Sequence, residues 1–307
     1  MRGSPRRPEG GGPGQGTRAY SINPSGTITG FFNDAVNVFH GYVRSNQGVI
    51  TVFDAPGAGT GPFPEGTFPW SPEIINPNGA IAGWATDSAL VSHGFLRDRN
   101  GAFTTFDAPG AGTGAGQGTF PFAIGSRGKI TGFYVDGTNA NHGFLYDRHG
   151  VITTYDVPGA GTGPGQGTFG GGFTPNGTMM GNYIDADDLS HGFVLCKNGV
   201  FTTFDAPSAG TGPLQGTIPF GINTSGSITG WYVDGTDVNH GFVRDKHGAI
   251  VEFDVPGAGT GPGQGPNAYS IAPNGAVTGF FFDPDNVVHG FVREADGALG
   301  SFKFNGQ

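Results

Sequence analysis

Cysteine is almost missing: Cys196 stands alone in 307 residues, so no internal disulfide framework and no thiolate metal cluster can form. Long hydrophobic runs are missing as well. No stretch approaches the roughly 18 apolar residues that a membrane helix needs, and the N-terminus lacks the apolar centre of a signal peptide. The opening MRGSPRRPEG reads instead as a basic leader, so residues 1–13 are set apart from the fold as leader or disordered sequence. Cations are few. With 15 Lys and Arg against 24 Asp and Glu, the net charge is -9, which argues against a phosphate-neutralising nucleic-acid surface and favours a cation or neutral ligand. Neither nucleic acid nor membrane is expected as a partner. Sustained apolar periodicity of 3.6 residues with capping signals is also lacking, so helices should be nearly absent.

What the chain has in excess is glycine and proline, 61 and 23 residues, together with 27 phenylalanines. Scattered, that much Gly and Pro would signal disorder. Here they recur with a period. His-Gly followed by Phe or Tyr stands at residues 40, 93, 142, 191, 240 and 289, one gap of 53 and then four of 49. In the third unit, GTFPFAIG, KITGFYVD, HGFLYD and VITTYD read as four short strands. The turns SRG and RHG lie between them, and VPGAGTGPGQGT forms a connector. Four strands per 49 residues, repeated six times, describe an all-β, six-bladed β-propeller of antiparallel blades. It spans residues 14–307, with blades near 14–57, 58–110, 111–159, 160–208, 209–257 and 258–307. Repeat one begins with its first strand and repeat six ends with its fourth. No blade is therefore shared between the termini, and GGGPGQGT is expected to lie where the last crossover belongs.

The layout resembles a WD-repeat blade without the Trp-Asp signature. INPSGTITGFF, HGFLYD and TTFDAPGAGT more closely resemble the HAF-type extracellular repeat of bacteria, over residues 14 to 304. That resemblance implies a propeller-like repeat protein of extracellular or periplasmic origin and brings no settled function.

In such blades the connection between strands two and three shares a rim with the crossover to the next blade. Asp34, Asp87, Asp136, Asp185, Asp234 and Asp283 end strand two on that rim. Asp54, Asp107, Asp156, Asp205 and Asp254 end strand four there, and His40, His93, His142, His191, His240 and His289 join them. Each repeated Asp precedes its His with five residues between. Two readings stay open. The aspartate caps the loop while the imidazole braces it, or imidazole and carboxylate together hold a divalent metal, Zn²⁺ or Ca²⁺. The second reading makes the chain a metal-dependent hydrolase of an ester or phosphoester at the channel mouth. A metal-bound water would attack there, with Asp185, Asp187 and Glu65 as the candidate proton-relaying carboxylates. The alternative is a lectin-like carbohydrate-binding module, or a structural repeat protein, in which Trp84 and Trp231 are sugar platforms or blade core.

Near the axis, Gln117, Gln166, Gln215 and Gln264, each preceding glycine, are candidate ligand-binding residues; their blander role is to brace adjacent blades. Departures from the repeat mark an asymmetric site. The second repeat places Glu65, Trp70 and Glu73 near the acidic rim, and the fourth has GTFGGGF beside Asp187 and Asp188. A pocket between those two blades with Trp70 as a wall is the local expectation. His149 and His247 belong to the other rim as solvated turn residues. The expected ligand is a small molecule or glycan, and the expected state is a monomer.

Overall fold

The repeated strand pattern is realised in a computed structural model that describes residues 15–302. The leader expected at 1–13, and most of the segment expected to replace a crossover, lie outside the described residues. Six repeats yield β1 (Gly16–Ile22), β2 (Ile28–Asn33), β3 (Phe39–Arg44) and β4 (Ile50–Phe53), then β5 (Gly66–Phe68), β6 (Ile81–Thr86), β7 (Ser92–Arg97) and β8 (Phe103–Phe106). They continue with β9 (Gly118–Ile124), β10 (Ile130–Val135), β11 (Asn141–Tyr146) and β12 (Ile152–Tyr155), then β13 (Gly167–Phe173), β14 (Met179–Ile184), β15 (Ser190–Leu195) and β16 (Phe201–Phe204). The last two repeats give β17 (Gly216–Ile222), β18 (Ile228–Val233), β19 (Asn239–Arg244) and β20 (Ile250–Phe253), then β21 (Gly265–Ile271), β22 (Val277–Phe282), β23 (Val288–Arg293) and β24 (Leu299–Phe302). No helix occurs among the described residues.

The chain divides into two compact units. The first runs to Thr138 and takes up Phe144–Thr153; the second holds Asn139–Gly143 and the chain from Thr154 onward. Inside each, a blade is an antiparallel meander. In the first blade Phe32 faces His40 across β2 and β3, and Gly41 faces Phe53 across β3 and β4. The sixth blade repeats this with Phe281 against His289 and Gly290 against Phe302. The first strand of the chain pairs with β2 and the last with β23, each inside its own blade. Short parallel contacts join successive blades, Phe39 to Gly66 and Ser92 to Gly118 in the first unit, Asn141 to Gly167 and Ser190 to Gly216 in the second.

The His-Gly-Phe motif is a packing device. The glycine faces the fourth strand, whose ring lies flat across it: a Cβ on Gly94 would come within 2.7 Å of Phe106, and one on Gly143 within 2.5 Å of Tyr155. The following aromatic is the blade's main core residue. Phe95, Phe144, Phe193, Phe242 and Phe291 are completely buried, each a burial that stabilises by about 1.5–3 kcal/mol. Thr67, Thr119, Thr168 and Thr217, each following the glycine that opens a first strand, are equally buried. The hydroxyl accepts the amide of the residue two positions past the previous blade's fourth strand, Ala55 to Thr67 at 3.0 Å, Ala108 to Thr119 at 2.9 Å, and Ala206 to Thr217 at 2.9 Å. The inserted sequence of the second repeat changes its first strand. β5 has 3 residues where β9 has 7, and Pro72, which has no counterpart in β9, removes a ladder donor in the inserted segment.

Candidate functional site

Five of the repeated histidines hold their closest carboxylate at Nδ1, and it is not the aspartate that sequence spacing pairs with them. Nδ1 meets the aspartate fourteen residues later: His40 to Asp54 at 2.8 Å, His93 to Asp107 at 3.0 Å, His142 to Asp156 at 2.9 Å, His191 to Asp205 at 3.0 Å and His240 to Asp254 at 2.6 Å. The antiparallel register explains this. Gly41 faces Phe53, so His40 and Asp54 face each other one step further out. The aspartate six residues earlier lies at Nε2, 3.3 Å away for Asp185 and Asp234, 2.8 Å for Asp283, and 3.6 Å for Asp34 and Asp87. Imidazole rings also stack on the strand-two aromatic beside them, His191 on Tyr183 and His240 on Tyr232.

The strand-two aspartates cap their loops. Oδ1 of Asp34 accepts the amides of Val36 and Val38 at 2.9 Å each, and Asp87 accepts Ala89 and Val91 likewise. Asp136 accepts Thr138, Asp185 accepts Asp187 and Leu189, Asp234 accepts Thr236 and Val238, and Asp283 accepts Asp285 and Val287. Burial works to raise the pKa of Asp34, Asp87, Asp185 and Asp234. The loop amides and the facing histidine outweigh it, and all four lie below the ordinary carboxyl value. Asp283 is lowered chiefly by its bond to His289. At His93 burial works to lower the pKa, and Asp107 and Asp87 together reverse it, leaving a raised value.

These contacts bear directly on a metal. A ligating imidazole must offer a free lone pair, and here both ring nitrogens of His191 and His240 already face carboxylates within their own blades. Among the described residues no group of three or more His, Cys, Asp or Glu is arranged to hold a metal ion. Two of the three carboxylates considered for proton relay accept amides of their own loops. Asp185 is held low, unlike a proton donor tuned for neutral pH, Asp187 is an exposed loop residue whose amide serves Asp185, and Glu65 accepts the amide of Gly61 at 2.7 Å. Glu73 does not join the rim of the loop aspartates. Its carbonyl accepts the Ile124 amide, at the end of β9 remote from Gly118.

The connector glutamines brace loops. Oε1 accepts the amide three residues upstream, Gly114 to Gln117 at 2.8 Å, Gly163 to Gln166 at 3.0 Å, Gly212 to Gln215 at 2.9 Å and Gly261 to Gln264 at 3.0 Å. Nε2 of Gln166, Gln215 and Gln264 donates to Asp188, Asp237 and Asn286.

On the opposite face of strand two the side chains vary between blades, and in the first unit they build a row of rings. Tyr20 stacks on Phe31, Trp70 lies beside both, and Trp70 stacks on Trp84 with centroids 6.0 Å apart and planes at 23°. Trp84 then meets Phe120, which stacks on Phe133. The row opens into a pocket of about 210 Å³ lined by Phe63, Pro64, Phe68, Trp70, Trp84 and Phe120, with Thr86, Leu90, Ser92 and Gly116. Trp70 is one of its walls and remains 39% exposed. The walls come from the second and third blades, whereas the sequence pointed to the second and fourth. Thr86 and Ser92 bond each other through their hydroxyls at 2.9 Å. Leu90 holds a left-handed backbone, φ 65°, at a position taken elsewhere by Asn37, Asn139, Asp188, Asp237 and Asn286. In the second unit Phe220, Trp231, Tyr269 and Phe280 form a second ring cluster.

No family model matches the chain, and no curated protein matches it. Solved structures do. The Aleuria aurantia lectin in complex with alpha-methyl-L-fucoside is 12% identical with a TM-score of 0.51 over 94% of each chain, and that lectin is a six-bladed β-propeller. The β-propeller domain of the Trilobed protease from Pyrococcus furiosus, with an open velcro topology, is 12% identical with a TM-score of 0.53, over 92% of this chain and 82% of that one. A puromycin hydrolase is 14% identical with a TM-score of 0.56, over 94% of this chain and 47% of that one. The fold is a six-bladed β-propeller.

Proposed function

We propose that the chain is a non-enzymatic carbohydrate-binding propeller, and that the aromatic pocket of the first unit is one of its sugar sites. The observation that carries this reading is the pair Trp70 and Trp84. Two stacked indoles border a pocket the size of a small ligand, with one of them exposed. A pyranose has an apolar face of C–H bonds that lies flat on such a ring, while its hydroxyls need only a few placed polar groups. Thr86 and Ser92 supply hydroxyls among the lining residues.

Two further considerations favour binding over hydrolysis. The histidines that would have held a catalytic metal are committed to carboxylates, and a lectin of the same fold binds a fucoside. The second ring cluster, around Trp231, gives a further platform, so that modest affinities add as avidity when a ligand presents several sugars.

The test is calorimetric and fluorescence titration with α-methyl-L-fucoside and a panel of monosaccharides, followed by a glycan array. Binding that quenches tryptophan emission and is lost in Trp70→Ala supports the reading. Silence across the array, with an intact fold by circular dichroism, removes it.

A further inference from the structure

A second recess of the first unit has a different chemistry. It lies at the turns joining strands one and two and strands three and four, encloses about 480 Å³, and is lined by Ser25, Thr27, Asn78, Arg97, Arg99 and Asn100, with Val43, Thr51, Pro77 and Gly79. Arg97 is only 9% exposed. A guanidinium carries five N–H donors and stays charged, yet this one makes a single hydrogen bond, from Nη1 to the carbonyl of Asp98 at 3.3 Å, and its Nε is buried with no partner. The carboxylate of Asp98 bonds instead to the amides of Asn100 and Ala102. The charge rests on a ring face, 4.9 Å from the centroid of Phe53, and burial lowers its pKa.

The orphaned Nε by itself belongs to the packing, because Arg244 repeats it above Phe204. The recess gives the second blade its further meaning. A buried cation without an anionic hydrogen-bond partner is costly unless something completes it. Here it borders a polar hollow where a second guanidinium, Arg99, is exposed and side-chain amides and hydroxyls supply neutral donors. A forked guanidinium matches the two oxygens of a carboxylate, sulfate or phosphate.

We propose that this recess binds the oxyanion group of a small ligand between Arg97 and Arg99. The site stands independently of the aromatic pocket. Its occupant is defined by one carboxylate, sulfate or phosphate group, and the titration arms separate these sources.

The intact protein is titrated at low ionic strength with sodium glucuronate, inorganic sulfate and inorganic phosphate, read by calorimetry and by the Nε–Hε resonances of its arginines. The expected result is saturable binding of at least one of the three below about 10 mM, weakened about tenfold or more by Arg99→Gln. Arg99 is exposed, so this variant leaves the packing of Arg97 on Phe53 in place. Arg97→Met abolishes the binding if it folds. Arg148→Gln, an equal loss of charge at an exposed turn, leaves it unchanged. Preference for glucuronate identifies a carboxylate ligand, and preference for the inorganic ions a sulfated or phosphorylated one. No saturable binding by any of the three, or binding equally weakened by Arg99→Gln and Arg148→Gln, overturns the proposal.

Discussion

The second and fourth blades share a scaffold and differ on one face. Phe95 and Phe193 are both fully buried, Thr67 and Thr168 are both fully buried, and Asp87 and Asp185 cap the same loop in the same way. At the variable positions nothing matches. Trp84 faces Gly94 across the hairpin where Asn182 faces Gly192; Trp70 corresponds to Gly171, and Leu90 to Asp188. Asn182 spends its amide on the Ser190 hydroxyl. A Cβ on Gly171 would come within 2.9 Å of the Met180 carbonyl, so that strand has no room for the bulk its counterpart carries. Repetition therefore builds the blade, and recognition is written on the residues that repetition leaves free.

The widest test of this division strikes the shared part. Phe95→Ala and Phe193→Ala each remove a completely buried ring and are expected to cost about 3–5 kcal/mol, as measured by chemical denaturation. Equal losses support a common scaffold. A gap of more than about 2 kcal/mol between the two, beyond ordinary site-to-site scatter, would show that the blades carry unequal loads. Striking the variable part should separate them. Trp84→Asn and Trp70→Ala are expected to weaken sugar binding by at least about tenfold, the scale of an aromatic anchor, while Asn182→Gln leaves it unchanged in the same titration. Loss of binding in Asn182→Gln would move the site to the fourth blade.

Much of the scaffold was readable because its signals are local. The His-Gly-Phe spacing located the third strands, and in the third repeat the segments read as strands coincide with β9 to β12. The partners of the histidines were less so. Spacing alone couples Asp34 to His40, but an imidazole at the start of a strand reaches across the hairpin, and Asp54 is its closer neighbour. The constant interval of fourteen residues from His to the aspartate just after the fourth strand, directly before Ala-Pro or Val-Pro, was the available signal, once the register of an antiparallel hairpin is applied to it. In the sixth repeat Lys303 occupies that place in the sequence, and the bond from His289 to Asp283 is correspondingly short at 2.8 Å. The pocket was the least legible feature. Trp70 was singled out by the insertion and Trp84 as sugar platform or blade core, but Phe120 comes from the next blade, and Leu90 stood in a loop with nothing in its neighbours to mark it.

Leu90 sharpens the comparison at smaller scale. A left-handed backbone costs a leucine about 1–2 kcal/mol, and five of the six equivalent positions avoid this with Asn or Asp. Leu90→Asn is expected to raise stability by about 1 kcal/mol while making the pocket wall polar and weakening sugar binding. A variant that is stabilised without loss of affinity would show that the strain has no connection with the pocket.

The smallest effect concerns protons. In the second blade Ala85 faces His93 where the fourth has Tyr183 against His191, and His93 is the more exposed of the two at 34% against 18%. Its raised pKa means the folded state binds the proton more tightly than the unfolded chain. That contribution is complete below the ordinary histidine value of 6.5 and is lost as pH rises through the raised folded value. Asp87, lowered from 3.8, contributes above that value and loses its share as pH falls through its folded pKa. The Asp87, His93 and Asp107 cluster should thus stabilise most between about pH 4 and 6.5. Denaturation midpoints of His93→Gln, measured across this range, should approach those of the parent as pH rises past it. A difference that is constant with pH would assign His93 a packing role alone, without charge.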